Sequence, residues 1–363
     1  ESGEQFMVVD GMRQKEYRWI HSLTFSDDNK HFANISDDLN SKQKNNELVV
    51  IDGQEQKKYK RIEKKSIVFS ANGRHCAYKA NQNDQWFVVI DGKEQQKYDE
   101  IGTIVFSIDS KHCAYKAKQN DQWFVVIDGK EQPSYDQVRL IELIDNKTFA
   151  YISENKKREK QTIVLNGQEQ KEADLILFFE FSPDKKRFMY VHKKGNKEYV
   201  VIDGQEQSGY DQIKTFSFSN DGKHFAYLAY CEKRNKWTVV LDGQELDYYD
   251  WIVYPEFLVD SEKGFAYLVY LVGNQDEQAI IFNGKMQKKY DYLRRPKELN
   301  DQDYYICLGM KDGKQSIIIN QQQLEEHDRI LNVKRSKNKL YLIYDAQTGH
   351  RIYHYKVKLE SFK

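Results

Sequence analysis

Histidines and aspartates are the residues of this 363-residue chain most able to do chemistry, and both recur in register. His31, His75, His112 and His224 share one slot, just after a basic turn residue. Asp99, Asp136, Asp211, Asp250 and Asp291 each follow a tyrosine, and Asp174 and Asp328 hold the same place after Ala173 and His327. Imidazoles and carboxylates are the raw material of metal ligation and proton transfer. Their repetition at one position argues instead for scaffolding. Each carboxylate is expected to accept backbone N–H groups where one repeat passes to the next. The two slots fall at opposite ends of the repeat, so a His–Asp pair within one repeat is not expected. Other chemistry is missing from the sequence: there is no Gly-x-Ser-x-Gly elbow and no His-Glu-x-x-His. Gly309 to Gln315 lacks phosphate-loop spacing, and the Asp-rich turns lack the calcium-loop frame. No catalytic residue, metal or cofactor is assigned.

The elements that carry these residues repeat along the chain. A Val-Val-Ile-Asp-Gly phrase returns with turn glycines at Gly11, Gly53, Gly92, Gly129, Gly167, Gly204, Gly243 and Gly284, in steps of 37 to 42. A degenerate copy ends at Asn320-Gln321. Residues 76–92 recur as 113–129 with one change, Asn81 to Lys118, which marks an internal duplication. Each repeat reads as four short strands: Ile104–Ser107 (A), Cys113–Lys116 (B), Trp123–Ile127 (C) and a D strand carrying Tyr135 to Val138. A Ser-x-Asp turn joins A to B, and Asp-Gly joins C to D as a two-residue hairpin. Periods near 40 with such content predict an all-β propeller of four-stranded antiparallel blades.

The blades are expected at 21–62, 66–101, 103–138, 139–178, 179–213, 215–252, 255–293 and 298–330, within one domain spanning 1–363. Residues 1–20 and 331–360 then pair head to tail as a closing blade, making nine by count, with eight as the alternative. Cys76 and Cys113 occupy a slot filled by Phe elsewhere (Phe32, Phe149, Phe188, Phe225, Phe265), so they read as buried free thiols. Lysine plus arginine equals aspartate plus glutamate at 56 each, which gives no electrostatic drive toward nucleic acid or anionic membrane. Leu175 to Phe179 is among the longest apolar runs, far short of a membrane span. Oligomeric state and compartment are left unassigned.

Phe218-Ser-Asn-Asp-Gly-Lys-His-Phe-Ala-Tyr227 with Trp237-Thr-Val-Val-Leu-Asp-Gly243 resembles the WD-repeat-like propeller repeats of TolB-type bacterial proteins, as does Phe181-Ser-Pro-Asp-Lys185. The resemblance covers nearly the whole chain. It implies the propeller fold, and roles ranging from binding platforms to gating domains beside hydrolases. Blades 4, 7 and 8 break the pattern at Glu142, Leu258 and Asp301 to Asp303.

Alternating strand direction places the uniform A–B and C–D turns at one end of each blade and the variable B–C and D–A connections at the other. Recognition is expected at the variable end, with His21, Lys64, Arg139, Lys214, Tyr254, Arg294 and Arg295 as candidate partner contacts. The favoured reading is a non-catalytic module for a protein or peptide partner. The alternatives are a glycan hydrolase or lyase, with Glu63, Glu142 and Glu180 as the nearest acids, and an accessory propeller of a larger hydrolase.

Overall fold

A computed structural model describes residues 4–38, 46–157, 159–257, 265–271, 277–282, 285–294, 304, 306–320, 322–336 and 341–362. Among these the chain is all-β, with 3-10 turns only at Glu232–Arg234 and Leu359–Phe362. Blade 3 shows how one repeat is made. Strands Glu100–Phe106, Cys113–Gln119, Gln122–Ile127 and Lys130–Glu131 pair antiparallel in the order A-B-C-D.

Strand A starts earlier than the sequence suggests because a bulge between Ile101 and Ile104 breaks its alternation into two short stretches. For the same reason Gln137 and Val138 open strand A of blade 4 (Gln137–Leu143) rather than closing strand D of blade 3. The interval between strands B and C, read from sequence as ending at Lys116 and resuming at Trp123, shrinks to the turn Asn120-Asp121. Both residues have positive φ (51° and 63°), as do Asp128 and Gly129 (47° and 77°) at the C–D turn. Two consecutive positive φ values are the type I′ hairpin geometry, which matches the twist of the flanking strands.

Seven four-stranded sheets of this kind form among the described residues, and an eighth, blade 2, has strand A split into Arg61–Ile62 and Val68–Phe69. Val8–Val9 and Met12–Arg13 make a short hairpin near the start. Arg329–Arg335, Tyr341–Thr348 and Arg351–Lys358 make a three-stranded sheet near the end. The chain divides into two compact units, 1–176 and 177–363.

Within each unit successive blades pack face to face where their facing sides are apolar. Blade 1 meets blade 2 through Ile35 and Val49 against Tyr78, Phe87 and Val89. Blade 2 meets blade 3 through Ala77 and Val88 against Tyr115, Phe124 and Val126. In the second unit, Val191 and Ile202 join Tyr227 and Ala229 in one core. Cys76, Cys113 and Cys307 are buried free thiols and Cys231 is half-buried. Burial pushes the Cys76 and Cys113 thiols up to about 12, so they stay protonated and unreactive.

Two side-chain links recur between successive blades. The first joins strand D to strand D: Tyr98 donates to Glu131 at 3.1 Å and Tyr210 to Glu245 at 2.7 Å. The second joins a residue near the start of strand C, the second of the strand in most blades, to a strand A backbone N–H 15 residues on. Gln161 accepts from Ile176 at 2.8 Å, Glu198 from Ile213 at 2.6 Å, Gln278 from Leu293 at 2.7 Å and Gln315 from Ile330 at 2.8 Å. Gln5 with Ile20 and Glu47 with Ile62 do the same. Each link satisfies an edge donor that would otherwise lack a partner.

Candidate binding cleft

In blades 1 to 6 the uniform end is closed by the blade's own polar groups. His112 Nδ1 sits 2.6 Å from Asp128 Oδ2, while Asp128 Oδ1 accepts the Cys113 N–H at 3.1 Å. His31–Asp52, His75–Asp91 and His224–Asp242 repeat the arrangement, and Arg187–Asp203 replaces it in blade 5. This corrects the expectation that no His–Asp pair forms inside a blade. The partner is the turn aspartate of Asp-Gly, which lies at the same end, and not the aspartate after tyrosine. Blade 4 has Thr148 in the histidine slot and Asn166 in the turn, and Asn166 Oδ1 still accepts the Phe149 N–H at 2.9 Å. The turn residue therefore has two separable jobs, and only the histidine pair needs a carboxylate.

The pairs do not amount to a nucleophile triad. Ser107 Oγ donates to Asp109 at 2.5 Å and accepts the His112 backbone N–H at 3.0 Å, so it is turned toward the loop and not toward an imidazole. The aspartates after tyrosine also serve the scaffold, as expected. Asp99, Asp211 and Asp291 accept the backbone N–H of Asn120, Glu232 and Asp312 at 2.8 to 2.9 Å. The donor belongs to the B–C turn of the next blade, one step beyond the corner where it was sought.

The variable end differs in kind. At the second position of strand C, three blades replace the Gln or Glu link with tryptophan: Trp86, Trp123 and Trp237. A cation accompanies each ring. Arg61 lies 5.8 Å from the Trp86 centroid, and the Lys116 and Lys214 ammonium groups each lie 4.9 Å from Trp123 and Trp237. The strand A residues 15 further on, Ile101, Val138 and Ile252, receive no side-chain acceptor on their N–H among the described residues.

Blades 2 and 3 bring two of these tryptophans to one cleft of about 470 Å³, lined by Glu63, Lys79, Trp86, Glu100, Ile101, Gly102, Thr103, Lys116 and Trp123. A second cleft shares Trp86 as a wall and runs to Glu47, Lys60, Arg61, Asn81 and Asp84. Lys79 pairs with Glu63 at 3.1 Å. Lys116 donates to the Val138 carbonyl at 2.8 Å and makes no ion pair among the described residues. Burial lowers its pKa, Glu100 partly restores it, and Lys79 and Arg139 lower it further. Gly102 makes room for this side chain: a Cβ there would stand 2.7 Å from Lys116 Cε.

The residues proposed from sequence scatter along the variable end. Lys64 is exposed beside Glu63, and Arg139 is exposed, paired with Glu154 at 3.0 Å and close enough to act on Lys116. His21 is held by Asp37 at 3.3 Å, and Glu47 completes a group whose ligand atoms lie within 4.8 Å of one another. Glu47 is already committed to the Ile62 N–H, and the His21–Asp37 contact accounts for the other two. In the second unit, Lys214 lies between Trp237 and Trp251, Tyr254 sits in strand Trp251–Phe257, and Arg294 is exposed at the end of Tyr292–Arg294. Arg295 lies outside the described residues. Of the three acids considered for catalysis, Glu63 lines the cleft, Glu142 pairs opposite Ala150 in strand A of blade 4, and Glu180 belongs to the second unit.

The order A-B-C-D, repeated and packed face to face within each unit, defines a β-propeller. No family model matches the chain, and no curated protein matches it. Among solved structures it is similar to the Dos1 propeller, at 12% identity over 93% of this chain and 92% of that one, with a TM-score of 0.34. It is also similar to the β-propeller domain of the Trilobed protease from Pyrococcus furiosus, at 11% identity over 71% and 94%, with a TM-score of 0.33. The dihydro-heme d1 dehydrogenase NirN aligns at 11% identity over 77% and 70%, also with a TM-score of 0.33. Likeness at this level carries no argument about activity.

Proposed function

We propose that the chain is a non-catalytic binding module that presents the variable ends of its blades to a protein or peptide partner. One observation carries the reading: the two ends of a blade differ in how their polar groups are spent. At the uniform end, Ser, Asp and His side chains are consumed by clasps within the blade. At the variable end, three blades give up a structural link for a tryptophan and a cation, and two of them, blades 2 and 3, bring their rings to one cleft in the first unit. Rigid scaffolds with such loops suit recognition.

Selecting a phage-displayed random peptide library on the immobilised full chain tests it. Enriched peptides should lose most of their binding to Arg139→Glu, Lys214→Glu or Arg294→Glu, and none to His112→Ala at the uniform end. The reverse pattern, or no enrichment, would remove the reading.

The module is further proposed to close as a nine-blade ring through residues 1–20 and 331–360. Donor and acceptor dyes at Gln5 and Tyr353 should then show near-complete energy transfer, since paired strands lie about 5 Å apart. Weak transfer in the folded protein would argue for an open array.

A further inference from the structure

We propose that the cleft between Trp86 and Trp123 seats a carboxylate of an acidic peptide, an inference that rests on the binding-module reading. The fold itself shows what chemistry belongs at this place. In six repeats a carboxylate or carboxamide oxygen, from Gln5, Glu47, Gln161, Glu198, Gln278 or Gln315, accepts a strand A N–H. Trp86 removes that acceptor opposite Ile101, and Ile101 lines the cleft. An oxygen supplied from outside replaces the missing one.

The cations point the same way. Lys79 and Lys116 occupy a strand B slot that is aliphatic in other blades, as Ile35, Ile152, Val191, Leu228 and Leu308. A half-buried ammonium in an apolar slot is costly unless an anion compensates it. Glu63 compensates Lys79 at 3.1 Å. Lys116 has the Val138 carbonyl and the Trp123 ring, with donors left over.

Charge and shape narrow the ligand. Glu63 takes up Lys79, and Glu100 acts on Lys116 without an ion pair among the described residues, so the cleft offers one cation and suits one negative charge better than the two of a phosphate monoester. Trp123 is only 8% exposed and lies under Lys116, so it offers no open face on which a sugar ring can stack. A peptide side chain fits better than a glycan.

The test uses an array of octapeptides with a central Glu, Asp, Gln or phosphoserine in a mixed-sequence background, beside an array of oligogalacturonates. Each is probed with the full wild-type chain and with Lys116→Met, Lys116→Ile, Lys116→Arg and His112→Ala. Isoleucine is the residue blade 4 carries in this slot, so that variant keeps the core packed, and an unchanged thermal midpoint checks it. We expect at least a ten-fold preference for Glu over Gln, abolished in the Met and Ile variants, kept in the Arg variant and untouched by His112→Ala. Peptides that bind without acid preference, that prefer phosphoserine, or that ignore Lys116→Met would overturn the carboxylate site and leave the module reading standing. Binding to oligogalacturonates alone would overturn the peptide occupant. Binding to neither array would remove both readings.

Discussion

Truncating Tyr115 to alanine should cost about 3–5 kcal/mol, the range for removing a large aromatic side chain from a packed interior. Tyr115 is 1% exposed, and its ring meets Tyr98 edge-on at 6.3 Å in the core between blades 2 and 3. That loss is a large share of the roughly 5–15 kcal/mol that holds a typical domain together. In a repeat array the damage falls first on the mutated unit and its neighbours. Urea unfolding and limited proteolysis should therefore place early cleavage around residues 100–131, while Tyr115→Phe, which keeps the ring, should stay near wild type. An alanine variant within about 1 kcal/mol of wild type would show that the two faces do not form the core described.

Alkali should unfold the protein through its buried tyrosines. Burial pushes Tyr115, Tyr151 and Tyr190 up to about 12, and Tyr59 reaches about 12 through burial and the neighbouring Glu94. In an unfolded chain the same phenols titrate near 10. Between those two values the unfolded state releases protons that the native state keeps. The stability these groups contribute is whole below about pH 10 and is lost as pH rises through 12. Tyrosinate absorbance and far-ultraviolet circular dichroism, followed together from pH 9 to 13, should show the buried set ionising in one step with the loss of sheet. Full ionisation near pH 10 with the sheet intact would contradict the packing of these rings.

Much of the fold is legible in the sequence because its signals are local. Asp-Gly at 128–129 names a hairpin by itself, and the recurrence of such pairs announces a series of similar sheets. What the sequence hides is long-range or irregular. The bulge between Ile101 and Ile104 disguises one strand as two fragments, which moves the apparent start of blade 3. The His112–Asp128 pair is concealed because 16 residues separate its members, and only the folded turn shows that they share an end.

The cleft went unread for a different reason. Its signals are exceptions within a pattern: Lys79 and Lys116 stand where other blades carry aliphatics, and Trp86 and Trp123 stand where others carry Gln or Glu. Variation around the D–A connections points to Arg139, Lys214 and Arg294, whereas the informative variation lies inside strands B and C. Comparing equivalent strand positions, such as the second residue of C with the strand A residue 15 later, exposes both the links and the places where they fail.

The bonds from Tyr98 to Glu131 and from the Ile213 N–H back to Glu198 each span only one repeat, and where a copy makes such a joint its two halves sit at matching places in neighbouring repeats. A gene segment copied in phase therefore arrives with its own fittings and couples to whatever stands before and after it. The near-identity of 76–92 and 113–129 is the trace of such an event. Growth by whole modules comes easily to a chain built this way, and so does remodelling one module's recognition chemistry while its siblings keep the assembly together.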